Sequence, residues 1–285
     1  MRTGAAEALA VGAGAVGGRA PGTDAVGARV ATGRVVGAAL LALVLLVAAL
    51  PLALDLDPAR QDLAATLAGP SAAYPLGTDH LGRDMLARLA HGARLSLALA
   101  LLCVGAAALG GTALALAAAW FGGWVDRALS LVADAVLALP GLLLILLLAA
   151  LAPGRPAYLA LGIALTLGVE LFRFARAHAL ESLAEPAVEA SRLLGFGAVH
   201  ALRRHVWPTL APRLATLAAF GVATAVATLA TLGFIGAGFA PPTPEWGTMT
   251  SELLPYWREA PWLILQPVIA MTATIGACLL LAGAR

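Results

Sequence analysis

Long apolar runs alternate with short polar segments along most of the chain. A helix needs about 20 predominantly apolar residues to cross the hydrocarbon core of a bilayer, and six runs approach or exceed that length. The pattern therefore predicts an all-α polytopic membrane protein with six transmembrane helices. The six runs cover residues 35–54, 95–120, 128–151, 157–174, 214–237 and 262–282.

The third and fourth runs are separated only by residues 152–156, which include Pro153, Gly154 and Pro156. Because proline and glycine interrupt helices, the two runs predict an antiparallel hairpin. Residues 1–34 are rich in Gly and Ala and lack a compact apolar block followed by a cleavage site. We interpret them as a mobile cytoplasmic tail, and residues 35–285 as one membrane domain.

Arginine placement predicts the orientation, since short cytoplasmic segments of membrane proteins are enriched in basic residues. With both ends of the chain in the cytoplasm, the segments on that side hold 12 of the 18 arginines. The opposite orientation would leave only the other 6 there. The predicted topology therefore places residues 175–213, between the fourth and fifth runs, in the cytoplasm.

Composition agrees with a membrane protein and narrows the chemistry. The chain is 61% hydrophobic and 12% charged, whereas a soluble domain carries roughly twice that charged fraction. All 18 basic residues are arginine, which together with the abundant Ala, Leu and Gly indicates a GC-rich bacterial genome. The net charge of +2 gives no indication of a nucleic-acid partner. Cys103 and Cys278 both lie in apolar runs, and we interpret them as small buried hydrophobic residues.

The polar loop between the fourth and fifth runs has helical character. Val188, Ser191 and Leu194 lie at helical spacing, so a short helix would present one face to a partner. Gly195 suits the left-handed conformation that ends a helix, and Pro208 would end or redirect the next one. An ordinary amphipathic loop between two spans is the simpler alternative.

This loop resembles the cytoplasmic loop of the membrane subunits of bacterial binding-protein-dependent ABC importers, through Glu-Ala-Ser at 189–191, glycine at 195 and His-Val-Trp-Pro at 205–208. In that family a short helix, a glycine turn and a second helix dock into a cleft on the ATPase subunit. The resemblance implies a type I ABC importer permease fold. Serine at 191 departs from the alanine that is commoner there. The coupling residues that it implies are Glu189, Ala190, Ser191, Gly195, Arg203, Arg204 and Pro208.

Further segments resemble the dipeptide, oligopeptide and nickel branch of these permeases, chiefly LGTDHLGRD at 76–84, GARLSL at 92–97 and the Gly- and Pro-rich stretch at 233–247. By pattern, residues 78–94 predict an amphipathic helix at the outer interface, capped by the residue at 78 or 79. The resemblance implies an outer mouth that faces a solute-binding protein. Its residues would be Thr78, Asp79, Gly82, Arg83, Asp84, Pro242, Glu245, Trp246 and Gly247.

Asp134, in the third run, is an acid inside a predicted span, and such residues are functional candidates. The simpler interpretation places it near the inner interface, paired with Arg127 or with a partner subunit. An ion-coupled carrier would instead pair Asp134 and Glu170 deep in the bundle as a proton relay, whereas an importer would keep them near its inner rim. A membrane scaffold that binds a soluble partner without transport is a third hypothesis.

The sequence contains no Gly-x4-Gly-Lys-Ser/Thr phosphate loop and no metal-ligand spacing, so no ATPase site, cofactor or metal is expected in this chain. The resemblance implies a second homologous permease subunit, two cytoplasmic ATPase subunits that use ATP and Mg, and an extracytoplasmic binding protein, assembled in the bacterial inner membrane. Peptide cargo is favoured on breadth alone over nickel or another small solute. Members of the branch usually continue beyond the last span, so either a shortened inner end of the sixth span or a different packing of the subunit is expected.

Overall fold

The computed structural model describes residues 23–151 and 155–283. Within these ranges the chain is helical, and the sole β-type pairing is an isolated bridge between Thr78 and Asp84. The predicted all-α fold is confirmed. The longer helices are α1 (Thr23–Ala53), α2 (Met85–Phe121), α3 (Gly123–Leu137), α4 (Gly141–Leu151), α5 (Pro156–Leu183), α8 (Trp207–Phe234) and α10 (Pro261–Gly283). The shorter ones are α6 (Pro186–Leu193), α7 (Ala198–Ala201), a π turn (Leu202–Val206) and α9 (Trp246–Leu253).

Among the described residues, five helical stretches are long and apolar enough to cross a membrane: α1 from Ala31, α2, α5, the continuous stretch Ala198–Phe234, and α10. A sixth is added if α3 and α4 count as one span, and these two helices are bent by 86° at their junction. The predicted third run thus forms two helices with a sharp bend between them, and we call this pair the broken third span. Pro140 explains the break, because it offers no N–H and pushes the preceding residue out of the helical conformation.

The prediction of a separate helix at residues 78–94 is wrong in two respects. The helix begins later, and it is continuous with the second span. One uninterrupted helix, α2, begins at Met85 and contains the whole second span. Asp84 caps it by accepting a hydrogen bond from the backbone N–H of Leu86 at 2.9 Å. Residues 77–84 form a turn instead of a helix, because Gly82 has φ +69° and packs against the backbone of Asp62.

Glycines set the closest helix contacts. A Cβ at Gly111 of α2 would overlap the backbone at Gly168 of α5, so these two helices touch at their backbones. In the α4–α5 pair, Gly162 contacts Ile145 and Gly141 contacts the side chain of Thr166. Since one number rises as the other falls, the two helices are antiparallel, as the predicted hairpin requires. Residues 152–154, in its turn, lie outside the described ranges.

The predicted division at residue 34 does not appear as a change of structure, because α1 begins at Thr23 and continues without a break. Residues 1–22 of the predicted tail, and the final two residues, lie outside the described ranges. At one end of the bundle lies a region that we call the cap, residues 55–84 and 235–260. At the other end lies the loop segment, residues 184–208.

Candidate functional site

Helix α6 forms the first half of the loop segment. Pro186 occupies its first turn, where the missing N–H costs nothing. At its end, Gly195 has φ +84°, and its N–H donates to the carbonyl of Arg192 at 2.9 Å. The N–H of Phe196 donates to the carbonyl of Ser191 at 3.1 Å. These two bonds define a Schellman motif, so the prediction that Gly195 is a left-handed stop is confirmed.

The exposed surface of this segment differs from the predicted face. Val188 is fully buried within the chain, so it cannot contact a partner. Glu189 and Ala190 are exposed. Large apolar side chains also face outward, and we call Leu193, Leu194 and Val199, which are 84%, 77% and 78% exposed, the apolar patch. Exposed apolar side chains clustered in a polar segment indicate a protein contact.

Pro208, predicted to end or redirect the next helix, ends none. It lies in the first turn of α8, directly after the π turn. Proline has no N–H to donate to the carbonyl four residues back. The widened π turn next to Pro208 accommodates the missing hydrogen bond. Arg203 and Arg204 belong to the π turn and are exposed, lining a shallow hollow with His200.

Side-chain hydrogen bonds tie the loop segment to the bundle. The Ser191 hydroxyl donates to the carbonyl of Ala187 at 3.0 Å, so it is left to accept from Nε2 of His205, also 3.0 Å away. Ser191 therefore holds α6 against the π turn. This contact is internal to the chain and was not predicted for a residue expected on the partner face.

A second tie was missed by the sequence interpretation. His178 of α5 is buried, with its Nε2 2.9 Å from the Thr209 hydroxyl and its Nδ1 2.8 Å from Nη1 of Arg213. Arginine can only donate, so Nδ1 accepts and Nε2 carries the proton. Thr209 in turn donates to the carbonyl of Val206 in the π turn at 3.0 Å. No local pattern in the sequence signals this chain of bonds.

The predicted outer-mouth residues of the turn before α2 are not exposed. Thr78, Asp79 and Arg83 are all nearly inaccessible, as is Arg88 of α2, and Gly82 is buried too. The two guanidinium groups share two carboxylates: Arg83 reaches Asp79 at 2.6 Å and Glu252 at 3.0 Å, and Arg88 reaches them at 2.9 and 2.5 Å. This network joins the turn before α2 to α9, and Asp84 caps α2 beside it.

The second predicted outer group is also internal. Glu245 is 1% exposed and caps α9, accepting from the backbone N–H of Thr248 at 2.9 Å. Trp246 is equally buried and donates through Nε1 to the carbonyl of Leu89 at 3.3 Å. A Cβ at Gly247 would overlap the carbonyl of Ala230. Of this second group, Pro242 alone is exposed. The other three residues pack inside the cap and do not form its surface.

Asp134 pairs with Arg173 at 2.5 Å, not with Arg127, and both side chains are more than half exposed. Glu170 is exposed as well. Nearby, Asp126 and Arg176 form a two-contact pair. The two acids of the carrier hypothesis are therefore not paired with each other inside the bundle.

The broken-span helical bundle, with its exposed helix–glycine–helix segment, defines a multi-pass membrane permease. The chain belongs to the family of binding-protein-dependent transport system inner membrane components, which it matches over residues 111–284. Permeases of this family work with ATPase subunits and binding proteins, and are transport subunits, not enzymes in their own right.

Several curated relatives carry transport names. The chain is 38% identical over 225 residues to the dipeptide transport system permease protein DppC of Escherichia coli K12, covering 77% of this chain and 75% of the relative. It is 36% identical over 204 residues to a DppC of Alkalihalophilus pseudofirmus, covering 70% and 66%. It is 32% identical over 207 residues to the glutathione transport system permease protein GsiD of Pectobacterium atrosepticum, covering 73% and 69%.

Proposed function

We propose that this chain lines the translocation pathway of an ATP-driven importer of short peptides. It would act with a second homologous permease subunit, two cytoplasmic ATPase subunits and an extracytoplasmic binding protein in the bacterial inner membrane. The observation that carries the proposal is the apolar patch on α6 and α7, beside the exposed Glu189 and Ala190. The names of the relatives, which refer to dipeptide and glutathione transport, support peptide cargo.

The apolar patch is the contact through which the ATPase would move this subunit. Burying Leu193, Leu194 and Val199 would contribute about 1.5–3 kcal/mol each if burial were complete, and Arg203 and Arg204 would add charge complementarity at the rim. ATP and Mg would be bound by the ATPase subunits. Closure of those subunits would displace α6 as a rigid element and shift the bundle between two arrangements.

The orientation follows from the same proposal. The loop segment must lie in the cytoplasm for an ATPase to reach it, and the arginine distribution of the sequence supports that side. The cap would then face outward, where the binding protein delivers its cargo. Because most motif residues of the cap are buried, we expect the binding protein to contact its exposed loops, including Pro242.

Ala190→Glu tests the proposal by placing a charge on the docking surface. An uncompensated charge in a desolvated interface costs several kcal/mol, roughly 3–5 where a buried pair is broken. We therefore expect the purified variant to lose its ATPase subunits and its peptide uptake in reconstituted vesicles, while its insertion into the membrane is normal. Ala31→Glu, at an exposed position of α1, is the matched control. Retention of ATPase binding and uptake by Ala190→Glu would exclude the loop segment as the coupling element.

A further inference from the structure

One side chain of α6 points back toward this chain, away from the apolar patch. Arg192 lies in the last turn of α6, next to the exposed Leu193. Its guanidinium carbon is 4.8 Å from the centre of the Trp120 ring. A cation over the face of an indole is attracted by the ring, most strongly for tryptophan among the aromatic residues. Arg192 therefore attaches α6 to the half-buried Trp120.

Trp120 is the penultimate residue of α2, and an open joint follows it. Gly122 and Gly123 have φ +57° and +54°. A Cβ at either glycine would meet no atom within 4 Å, so glycine is needed there for its backbone conformation and not for lack of space. No side chain packs against these two glycines, so the backbone of the joint itself is unobstructed.

Helix α3, on the far side of the joint, is anchored to α5. Arg176 binds Asp126 through both Nε and Nη2, with the Nη2–Oδ2 distance at 2.5 Å. Arg173 of α5 binds Asp134, which lies further along α3 than Asp126. Helix α3 then meets α4 at the 86° bend. A push on the end of α2 would thus reach the broken third span while α5 limits its travel.

We propose that Arg192 and Trp120 are positioning residues that carry a displacement of α6 to the α2–α3 joint, and so to the broken third span. The inference rests on the proposed function, because it takes α6 as the element that the ATPase moves. The neighbouring Ser191–His205 bond attaches α6 to the π turn that leads into α8. Two adjacent side chains of α6 therefore act on two different spans.

The test measures coupling separately from docking. Permease variants are purified with their ATPase subunits and reconstituted with the binding protein, and the peptide transported per ATP hydrolysed is measured. Arg192→Gln and Trp120→Leu keep the ATPase bound and lower this ratio by about two- to fivefold, the range expected for one exposed cation–π contact. Arg192→Lys, which keeps a cation, restores most of the ratio. Trp124→Leu, at a 79% exposed tryptophan just past the joint, leaves it unchanged.

A double variant decides whether the two residues act together. If they form one link, Arg192→Gln with Trp120→Leu is no worse than either single change, because coupled residues are not additive. Additive losses, or an unchanged ratio in the single variants, would overturn the inference. Loss of the ATPase from Arg192→Gln would also overturn it, since Arg192 would then be a docking contact. An unmodified protein that binds no ATPase would instead refute the proposed function.

Discussion

Glu245 is, with Asp79, one of two acids of the cap that are only 1% exposed. Its carboxylate faces Gly233, where a Cβ would overlap Oε2, and the hydroxyl of Ser96 lies 3.5 Å from Oε1. Burial raises the pKa of Glu245 above its ordinary value of 4.5, although its hydrogen bonds with Thr248 and Ser96 oppose the shift. The residue thus joins α2, α8 and α9 at one point, and burial disfavours its charged form.

That raised pKa predicts a pH dependence of stability. Between pH 4.5 and the raised pKa of Glu245, the unfolded chain binds fewer protons than the folded one, so stability falls as pH rises through this interval. Glu245→Gln removes the ionisation and keeps an acceptor for Thr248. We expect the melting temperature of Glu245→Gln in detergent, relative to that of the wild type, to rise as pH increases. The same change at the exposed Glu259 is the control, and parallel pH profiles for Glu245→Gln and wild type would contradict the account.

At the scale of elements, the shared ion network holds α9 against the start of α2. Glu252 lies on α9, Asp79 lies in the preceding turn, and the two arginines bridge them. Such a network adds little stability compared with a well-packed apolar core, but removing one member leaves buried charge unpaired. The network therefore fixes the arrangement of the cap more than it strengthens it.

Arg88→Met tests the network. The change removes one of two cations from two buried carboxylates, and we expect a loss of about 3–5 kcal/mol in unfolding free energy. Arg94→Met, at an exposed position of the same helix, should change it by no more than about 0.5 kcal/mol. Denaturation of both variants in matched detergent measures the difference. Equal effects would show that burial of the Arg88 charge has no structural consequence.

The elements differ in how readily the sequence predicts them. Apolar runs predicted the spans, and the left-handed stop at Gly195 could be predicted because its requirement is local. The break at Pro140 had a local signal that the length of the run masked. The burial of Arg83 and Arg88 had none, because their partner Glu252 is 169 and 164 residues away along the chain. The same distance hid the tie between His178 and Thr209, since only the folded bundle brings α5 and α8 together.

At the scale of the whole molecule, the cap and the loop segment lie at opposite ends of the same helices. Helix α2 begins beside Trp246 of the cap and ends beside Arg192 of the loop segment. At 1.5 Å per residue its 37 residues span about 55 Å, more than the roughly 30 Å of a hydrocarbon core. The helix is therefore long enough to extend beyond the hydrocarbon at both ends.

This arrangement predicts opposite accessibility for two engineered cysteines. The native Cys103 and Cys278 are both buried, so they should give little background. Ser71→Cys, in the exposed part of the cap, should react with a membrane-impermeant maleimide in cells whose outer membrane is permeabilised and whose inner membrane is intact. Val199→Cys should react only after the inner membrane is permeabilised. The reverse pattern would invert the topology and place the loop segment out of reach of an ATPase.

The ion network of the cap also has a consequence for synthesis. Arg88 emerges from the ribosome 164 residues before Glu252, which at about 5–20 residues per second is a wait of roughly 10–30 s. During that time two arginines share one aspartate, and the turn before α2 has no ion pair to α9. The cap becomes complete only when α9 has followed the four spans between them across the bilayer. Completion of the cap is therefore a late step of synthesis, and we expect a chain truncated before α9 to be more sensitive to proteases than the full chain.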